Sequence, residues 1–217
     1  MKITSVEPQK KNTHRFNIFL DGIFAFGADE DLVVEHRLIV GKIIDPKDLE
    51  KLLFEAEVGK LMERMYGLFN IRQRSEREVK DYLKNLSYKR KIKGDEEIPP
   101  IAIDLLIEKL KQKGLLNDEE FAKAWVQARS KKKGLVVIKG ELFRKGIDRE
   151  IIEQVTGEES LGSRQQIVAE QLLVKRWDRF KNLPSLEKRK KSYDFLLRRG
   201  FDYEMVSEII EKLIKKG

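Results

Sequence analysis

Leu142-Phe143-Arg144-Lys145-Gly146-Ile147-Asp148-Arg149-Glu150-Ile151-Ile152 is matched in character, without a gap, by Leu196-Leu197-Arg198-Arg199-Gly200-Phe201-Asp202-Tyr203-Glu204-Met205-Val206, 54 residues later. Two apolar residues end a helix, and two cations sit where they complement the negative end of its dipole. A glycine supplies the left-handed cap, an apolar residue packs back on the helix end, and an aspartate caps the next helix. The spacing predicts helix, tight turn, helix, written twice in one chain.

The same grammar extends outward. Asn117 caps a helix carrying Phe121, Ala124, Trp125 and Ala128. A helix over 134–145 follows, closed by Gly146, and Asp148 opens another with Ile151, Ile152 and Val155. Ser163-Arg164-Gln165-Gln166 reads as a capping box opening the helix with Ile167, Leu172, Leu173 and Trp177. A helix over 186–199 ends at Gly200, and Asp202 caps the last, with Met205, Val206, Ile209 and Leu213. Upstream, Asp45-Pro46 starts a helix through Leu49, Leu52, Leu53 and Ala56 that continues along Leu61, Met65, Leu68 and Phe69. Ser75-Glu76-Arg77-Glu78 is a further capping box, opening a helix with Val79, Tyr82, Leu83 and Leu86. Residues 87–98 are polar and read as a loop. Pro99-Pro100 starts a helix with Ile103, Leu106, Ile107 and Leu110, and Gly114 is its stop signal. The fold is thus mainly α: three tandem three-helix, helix-turn-helix-like repeats over 46–116 (with a connecting helix), 117–158 and 159–217. A unit of about 50 residues buries little core alone, so such repeats gain stability by stacking into an elongated array.

Residues 1–45 read differently. Ile3 to Glu7, Arg15 to Leu20 and Ile23 to Phe26 are short apolar runs, with Asp21-Gly22 between the last two. That dipeptide suits a type I′ turn, so a small antiparallel sheet is expected, followed by a short helix over 29–38. No run has the length or apolarity of a signal peptide or membrane span, which points to the cytoplasm and away from membranes.

The 217 residues contain no cysteine and two histidines, excluding a disulfide scaffold, a cysteine nucleophile and a zinc ribbon. The net charge of +8 favours an acidic partner and is unevenly placed. Residues 72–93 carry nine cations against three acids, 129–146 seven against one, and 175–199 ten against three. The surplus recurs at one place in each repeat, the end of its first helix and its second helix. A spaced series of cationic patches suits a repeating polyanion or a long acidic groove. The candidate contacts are Arg72, Arg74 and Lys80; Arg129, Lys131, Lys132, Lys133, Lys139, Arg144 and Lys145; and Arg176, Arg189, Lys190, Lys191, Arg198 and Arg199. The bland alternative is a set of solvated helix faces.

Other chemistry finds little support. Gly41-Lys42 lacks the first glycine and the Ser/Thr of a phosphate loop, and no Gly-x-Gly occurs. Asp29-Glu30-Asp31 and Asp118-Glu119-Glu120 stand where first helical turns favour acids, and Asp95-Glu96-Glu97 lies in a polar stretch. His14 and His36 read as ordinary surface or hairpin residues, and Trp125, Trp177, Tyr82 and Tyr193 as core. No catalytic residue, metal or cofactor is expected.

Asn117-Asp118-Glu119-Glu120-Phe121-Ala122-Lys123-Ala124-Trp125-Val126-Gln127-Ala128-Arg129, continued by Ile138, Glu141, Leu142, Lys145, Gly146, Ile147 and Asp148, resembles the middle repeat of the RecX family, regulators of bacterial RecA recombinase. Arg74-Ser75-Glu76-Arg77-Glu78-Val79 is similar to the family's first-repeat motif, and Phe24-Ala25-Phe26-Gly27 to an extension found in some members. The first repeat departs from the pattern, lacking Lys-Gly after its second helix and having the loop 87–98 instead. The resemblance implies a curved, elongated array of three three-helix repeats and a non-enzymatic regulator. Such a protein binds the groove of the RecA–single-stranded DNA filament and blocks its extension or destabilises it. ATPase, strand exchange and the co-protease activity of the SOS response would fall. The implied partners are the RecA filament, single-stranded DNA and, more weakly, duplex DNA, bound by a monomer. Three other readings stay open from the residues: a helix-turn-helix regulator of duplex DNA, a metal-dependent nuclease and a pure protein adaptor.

Overall fold

The computed structural model describes residues 1–10, 12–157, 159–180 and 182–215. The chain forms two compact units, one of residues 1–73 and 80–116, the other of residues 74–79 and 117–217.

In the first unit, β1 (Ile3–Pro8), β2 (Arg15–Leu20) and β3 (Ile23–Asp29) form an antiparallel sheet in sequence order. Asp21 and Gly22 both adopt positive φ, 49° and 85°, as the type I′ turn requires. Strand alternation turns Ile18, Leu20, Phe26 and Ala28 inward. The helix expected over 29–38 is shorter, α1 (Glu30–Glu35). Arg37 enters the left-handed region at φ 46° and ends it, and Leu38 folds back into the core with its N–H on the Val33 carbonyl. A three-stranded sheet needs a cover, and α2 (Pro46–Ile71), capped by Asp45, supplies Leu52 and Ala56 to the same core. Arg15, almost wholly buried, ties β2 to α2 by donating to Glu63 Oε2 (3.1 Å) and to the Gly27 carbonyl (3.0 Å).

The first half of the expected loop 87–98 is helix. Helix α3 (Glu76–Ile92) runs to Ile92, and α4 (Pro100–Gln112) packs on α2. The polar composition misleads because this turn is anchored by charge: Arg90 pairs with Glu57 at 2.6 Å. Ser87 Oγ accepts from the buried Ile98 N–H at 3.0 Å. Lys93-Gly94 then closes α3, with Gly94 at φ 80° and the Asp95 N–H on the Arg90 carbonyl. The first repeat therefore does carry Lys-Gly after its second helix, contrary to expectation.

In the second unit, α5 (Asp118–Arg129), α6 (Leu135–Arg144) and α7 (Arg149–Thr156) enclose one core built on Phe121, Ile138, Leu142, Ile147 and Ile152. Helix α8 (Glu159–Trp177), a short 3₁₀ turn, α9 (Ser185–Leu197) and α10 (Tyr203–Lys215) enclose another, built on Leu173, Leu196, Phe201, Val206 and Ile209. Asn117 and Asp202 accept the expected capping hydrogen bonds, and Ser75 and Glu78 form the reciprocal box. Asp148 holds the cap position but its side chain caps no N–H. The capping box at Ser163 is overturned. Helix α8 already runs from Glu159, because Leu161 is drawn into the α5–α7 core. Gln165 is then a buried residue inside the helix, donating to the Ser130 and Lys133 carbonyls.

The glycine caps do more than stop helices. The Gly134 N–H donates to the Arg199 carbonyl (2.8 Å) and the Val136 N–H to the Gly200 carbonyl (3.1 Å), so α6 starts on the end of α9. Likewise Ser75 Oγ donates to the Lys145 carbonyl (2.7 Å), so the first turn of α3 starts on the end of α6. At the first junction orphan N–H groups of one helix thereby meet terminal carbonyls of another, and at the second a cap hydroxyl does so. A Cβ on Gly200 would come within 2.5 Å of the Val137 backbone nitrogen, and one on Gly146 within 2.5 Å of Arg77 Cδ. With φ of 84° at Gly200 and 79° at Gly146, both positions demand glycine twice over.

Gly200→Ala should lose about 2 kcal/mol or more, from strain at positive φ and the blocked approach of α6. Gly140→Ala lies in α6 with only Arg144 Nη1 at 3.7 Å from its new methyl, and should gain about 0.5–1 kcal/mol. Urea denaturation of the two variants against the parent reads both signs.

Candidate polyanion-binding surface

The predicted contacts sort into groups with different freedom. Of the first cluster, Arg72 and Lys80 belong to the first unit and Arg74 to the second. Arg72 is exposed and donates to the Gln73 carbonyl, and Arg74 is half-buried with its Nε lacking an acceptor among the described residues.

The 129–146 cluster is organised around one carboxylate. Glu141, on α6, accepts from Trp125 Nε1 (2.9 Å), pairs with Arg129 Nε (3.0 Å) and lies 3.7 Å from Lys133 Nζ. Arg129 and Lys145 stand over the Trp125 ring at 4.8 and 4.4 Å from its centroid, within cation–π range. Lys145 also pairs with Glu78 at 2.7 Å, with both side chains 19% exposed. Lys139 pairs with Glu153 at 2.5 Å. The exposed Lys131, Lys132 and Arg144 are the cations of this cluster with no acidic partner among the described residues.

In the third cluster, Arg189 reaches Glu211 (3.7 Å) and Lys191 reaches Glu187 (4.0 Å). Lys190 is exposed, and Lys181 lies outside the described residues. Arg176 and Arg199 stand over the Phe195 ring at 4.9 and 3.9 Å. Arg198 Nε donates to the Asp194 carbonyl (2.9 Å) and Arg199 Nη1 to the Phe195 carbonyl (3.3 Å). Burial, then the charges of Arg176 and Arg198, push the Arg199 guanidinium below its ordinary value.

Trp125 and Trp177, expected in the core, are half-buried at its edge, Trp177 with Lys188 Nζ 3.9 Å from its ring centroid. Their apolar spacing could not show that a cation covers each outer face. Tyr193 packs on the α8–α10 core and its hydroxyl donates to Ser207 Oγ (2.9 Å), and Tyr82 is half-buried. His14 is exposed beside Glu30, and His36 pairs with Glu55. Asp29 and the acids of 118–120 serve helix starts, and Glu97 pairs with Lys91, holding its ammonium above its ordinary value by hydrogen bond and charge. Among the described residues no group of three or more His, Asp or Glu has a metal-holding arrangement, and no helix is long and apolar enough to cross a membrane.

Comparison with known proteins places the chain. The family model for the N-terminal domain of regulatory protein RecX matches residues 1–45, and those for its second and third three-helix domains match 117–155 and 165–210. The regulatory protein RecX of Bacillus pumilus is 35% identical over 214 residues, 97% of this chain and 76% of the relative. The chain belongs to the RecX family. The Listeria welshimeri RecX is 36% identical over 162 residues, 74% of this chain and 56% of that protein. A crystal structure of regulatory protein RecX superposes with a TM-score of 0.76 at 26% identity, covering 97% of this chain and 98% of the other. RecX from Lactobacillus salivarius covers 72% of this chain and 96% of its own, with a TM-score of 0.62 at 27% identity. The tandem three-helix RecX domains are those derived above from the paired glycine caps, and the relatives are named regulatory proteins.

Lys145→Gln removes a half-buried ion pair and a ring contact, so stability should fall by about 1–3 kcal/mol. Lys131→Gln, at an exposed position without a partner, should change it by less than about 0.5 kcal/mol. Thermal unfolding of the two variants side by side distinguishes structural from available charge.

Proposed function

We propose that this RecX protein regulates RecA by binding in the groove of the RecA–single-stranded DNA filament. There it blocks extension or destabilises the filament, lowering ATPase, strand-exchange and SOS co-protease activity. The name carried by its relatives supports the regulatory role. What supports the mode of action is that each repeat has exposed cations just after its first helix or along and at the end of its second, Arg72, then Lys131, Lys132 and Arg144, then Lys190 and Arg198. Contacts of this kind are individually weak, and several on one chain multiply through effective concentration. The regulator works as a monomer in the cytoplasm, by binding rather than by a catalytic step, on RecA and single-stranded DNA together and on duplex DNA less. Residues 1–45, 46–116, 117–158 and 159–217 are its working units.

Two measurements test this. Single-stranded-DNA-dependent ATP hydrolysis by RecA should fall progressively as the protein is titrated well below one copy per RecA. No effect at equimolar protein, with tight binding to one defined duplex, would replace the reading with a helix-turn-helix regulator. In the second, Lys131→Glu/Lys132→Glu/Arg144→Glu should keep the parent's melting temperature and lose most of the inhibition. If three phosphate contacts are lost, the slope of log affinity against log salt falls by about 2.

A further inference from the structure

The 54-residue offset that aligns the two glycine caps also aligns Arg144 with Arg198, Lys145 with Arg199, and Glu141 with Phe195. The exchange at the last pair reverses the electrostatics of the two sites. In α5–α7, Glu141 is an internal anion, shared among Arg129, Lys133 and the Trp125 N–H. In α8–α10, a phenyl ring stands where that carboxylate would be. Arg176 and Arg199 lie over this ring, and the hydrogen bonds of Arg198 and Arg199 go to backbone carbonyls. Among the described residues no carboxylate pairs with any of the three arginines. Arg176 Nε is moreover buried without an acceptor. Arg176 and Arg199 share one ring without a counter-charge, and burial first, then the charges of Arg176 and Arg198, hold the Arg199 guanidinium below its ordinary value. An arrangement of this kind gains most when an anion supplies the missing charge.

We propose that Arg176 and Arg199, over the Phe195 ring, together with the exposed Arg198 next to Arg199 in the chain, form a phosphate-gripping site for the backbone of a single-stranded nucleic acid. The matching site in α5–α7 is held closed to such ligands by its own Glu141. Guanidiniums are suited to this because their planar forks take phosphate oxygens in pairs. Phe195 is buried and offers no face to a base, so the site reads charge and not sequence. That the strand is the one inside a RecA filament rests on the function proposed above; the site itself does not.

The test leaves RecA out, so that the two ideas fail separately. Anisotropy of a fluorescein-labelled oligo-dT is measured across a salt series for the parent, Arg198→Gln/Arg199→Gln, Arg198→Lys/Arg199→Lys and Glu141→Gln. The double Gln variant should bind about tenfold more weakly, with the salt slope reduced by about 1–1.5, and the Lys variant should keep most of the slope. Glu141→Gln, whose amide oxygen still accepts from Trp125, frees Arg129 and Lys133 and should bind more tightly with a steeper slope. This gain cannot arise from misfolding. Inorganic phosphate should displace oligo-dT only at far higher concentration than the strand itself. Three outcomes would overturn the proposal: an unchanged slope in the double Gln variant, no gain from Glu141→Gln, or better competition by poly-glutamate than by oligo-dT at equal charge. The last would assign the site to an acidic protein segment.

Discussion

The second unit depends on one contact repeated: the start of a helix seated on the glycine-capped end of another. Every helix leaves N–H groups unpaired at its start and carbonyls unpaired at its end. Here the Gly134 and Val136 N–H groups meet the Arg199 and Gly200 carbonyls, and the Ser75 hydroxyl meets the Lys145 carbonyl. Helices α9, α6 and the first turn of α3 are thus joined end to start. The contact needs a backbone that turns left-handed and bears no side chain, which is why Gly146 and Gly200 recur 54 residues apart.

The cations flanking these caps have two kinds of work. Lys145 is withdrawn from solvent by Glu78 and Trp125, and Arg129, though exposed, is engaged by Glu141 and the same ring, so these charges hold the α5–α7 group together. Their neighbours Lys131, Lys132 and Arg144 stay in water. A high count of Lys and Arg therefore overstates the available charge, and pairing within the fold decides which cations reach a partner. The same selection separates the second cluster, built on a carboxylate, from the third, built on a phenyl ring.

The first unit shows a buried charge used as a joint. Arg15 sits on a strand, Glu63 on a helix 48 residues later, and their 3.1 Å pair fixes the sheet on its cover. With the additional bond to the Gly27 carbonyl the guanidinium is well partnered, as a buried cation must be.

Much of this was legible in the residues. The type I′ turn at Asp21-Gly22, the long helix from Asp45-Pro46, the Asn117 and Asp202 caps and the paired Gly146 and Gly200 stops are local consequences of side-chain and backbone chemistry within a few positions. The readings that failed were those settled by distant partners. Residues 87–92 look like a loop until Glu57 pairs with Arg90, and Ser163 looks like a cap until Leu161 is claimed by another core. Cation clusters likewise could be counted from the chain, but not sorted. Sequence determined the helix ends that local caps set, because caps are short-range hydrogen-bonding problems. Tertiary structure alone decided which charges are spent internally and which are left for a partner, because that depends on which carboxylates and rings the folded chain brings within a few ångströms.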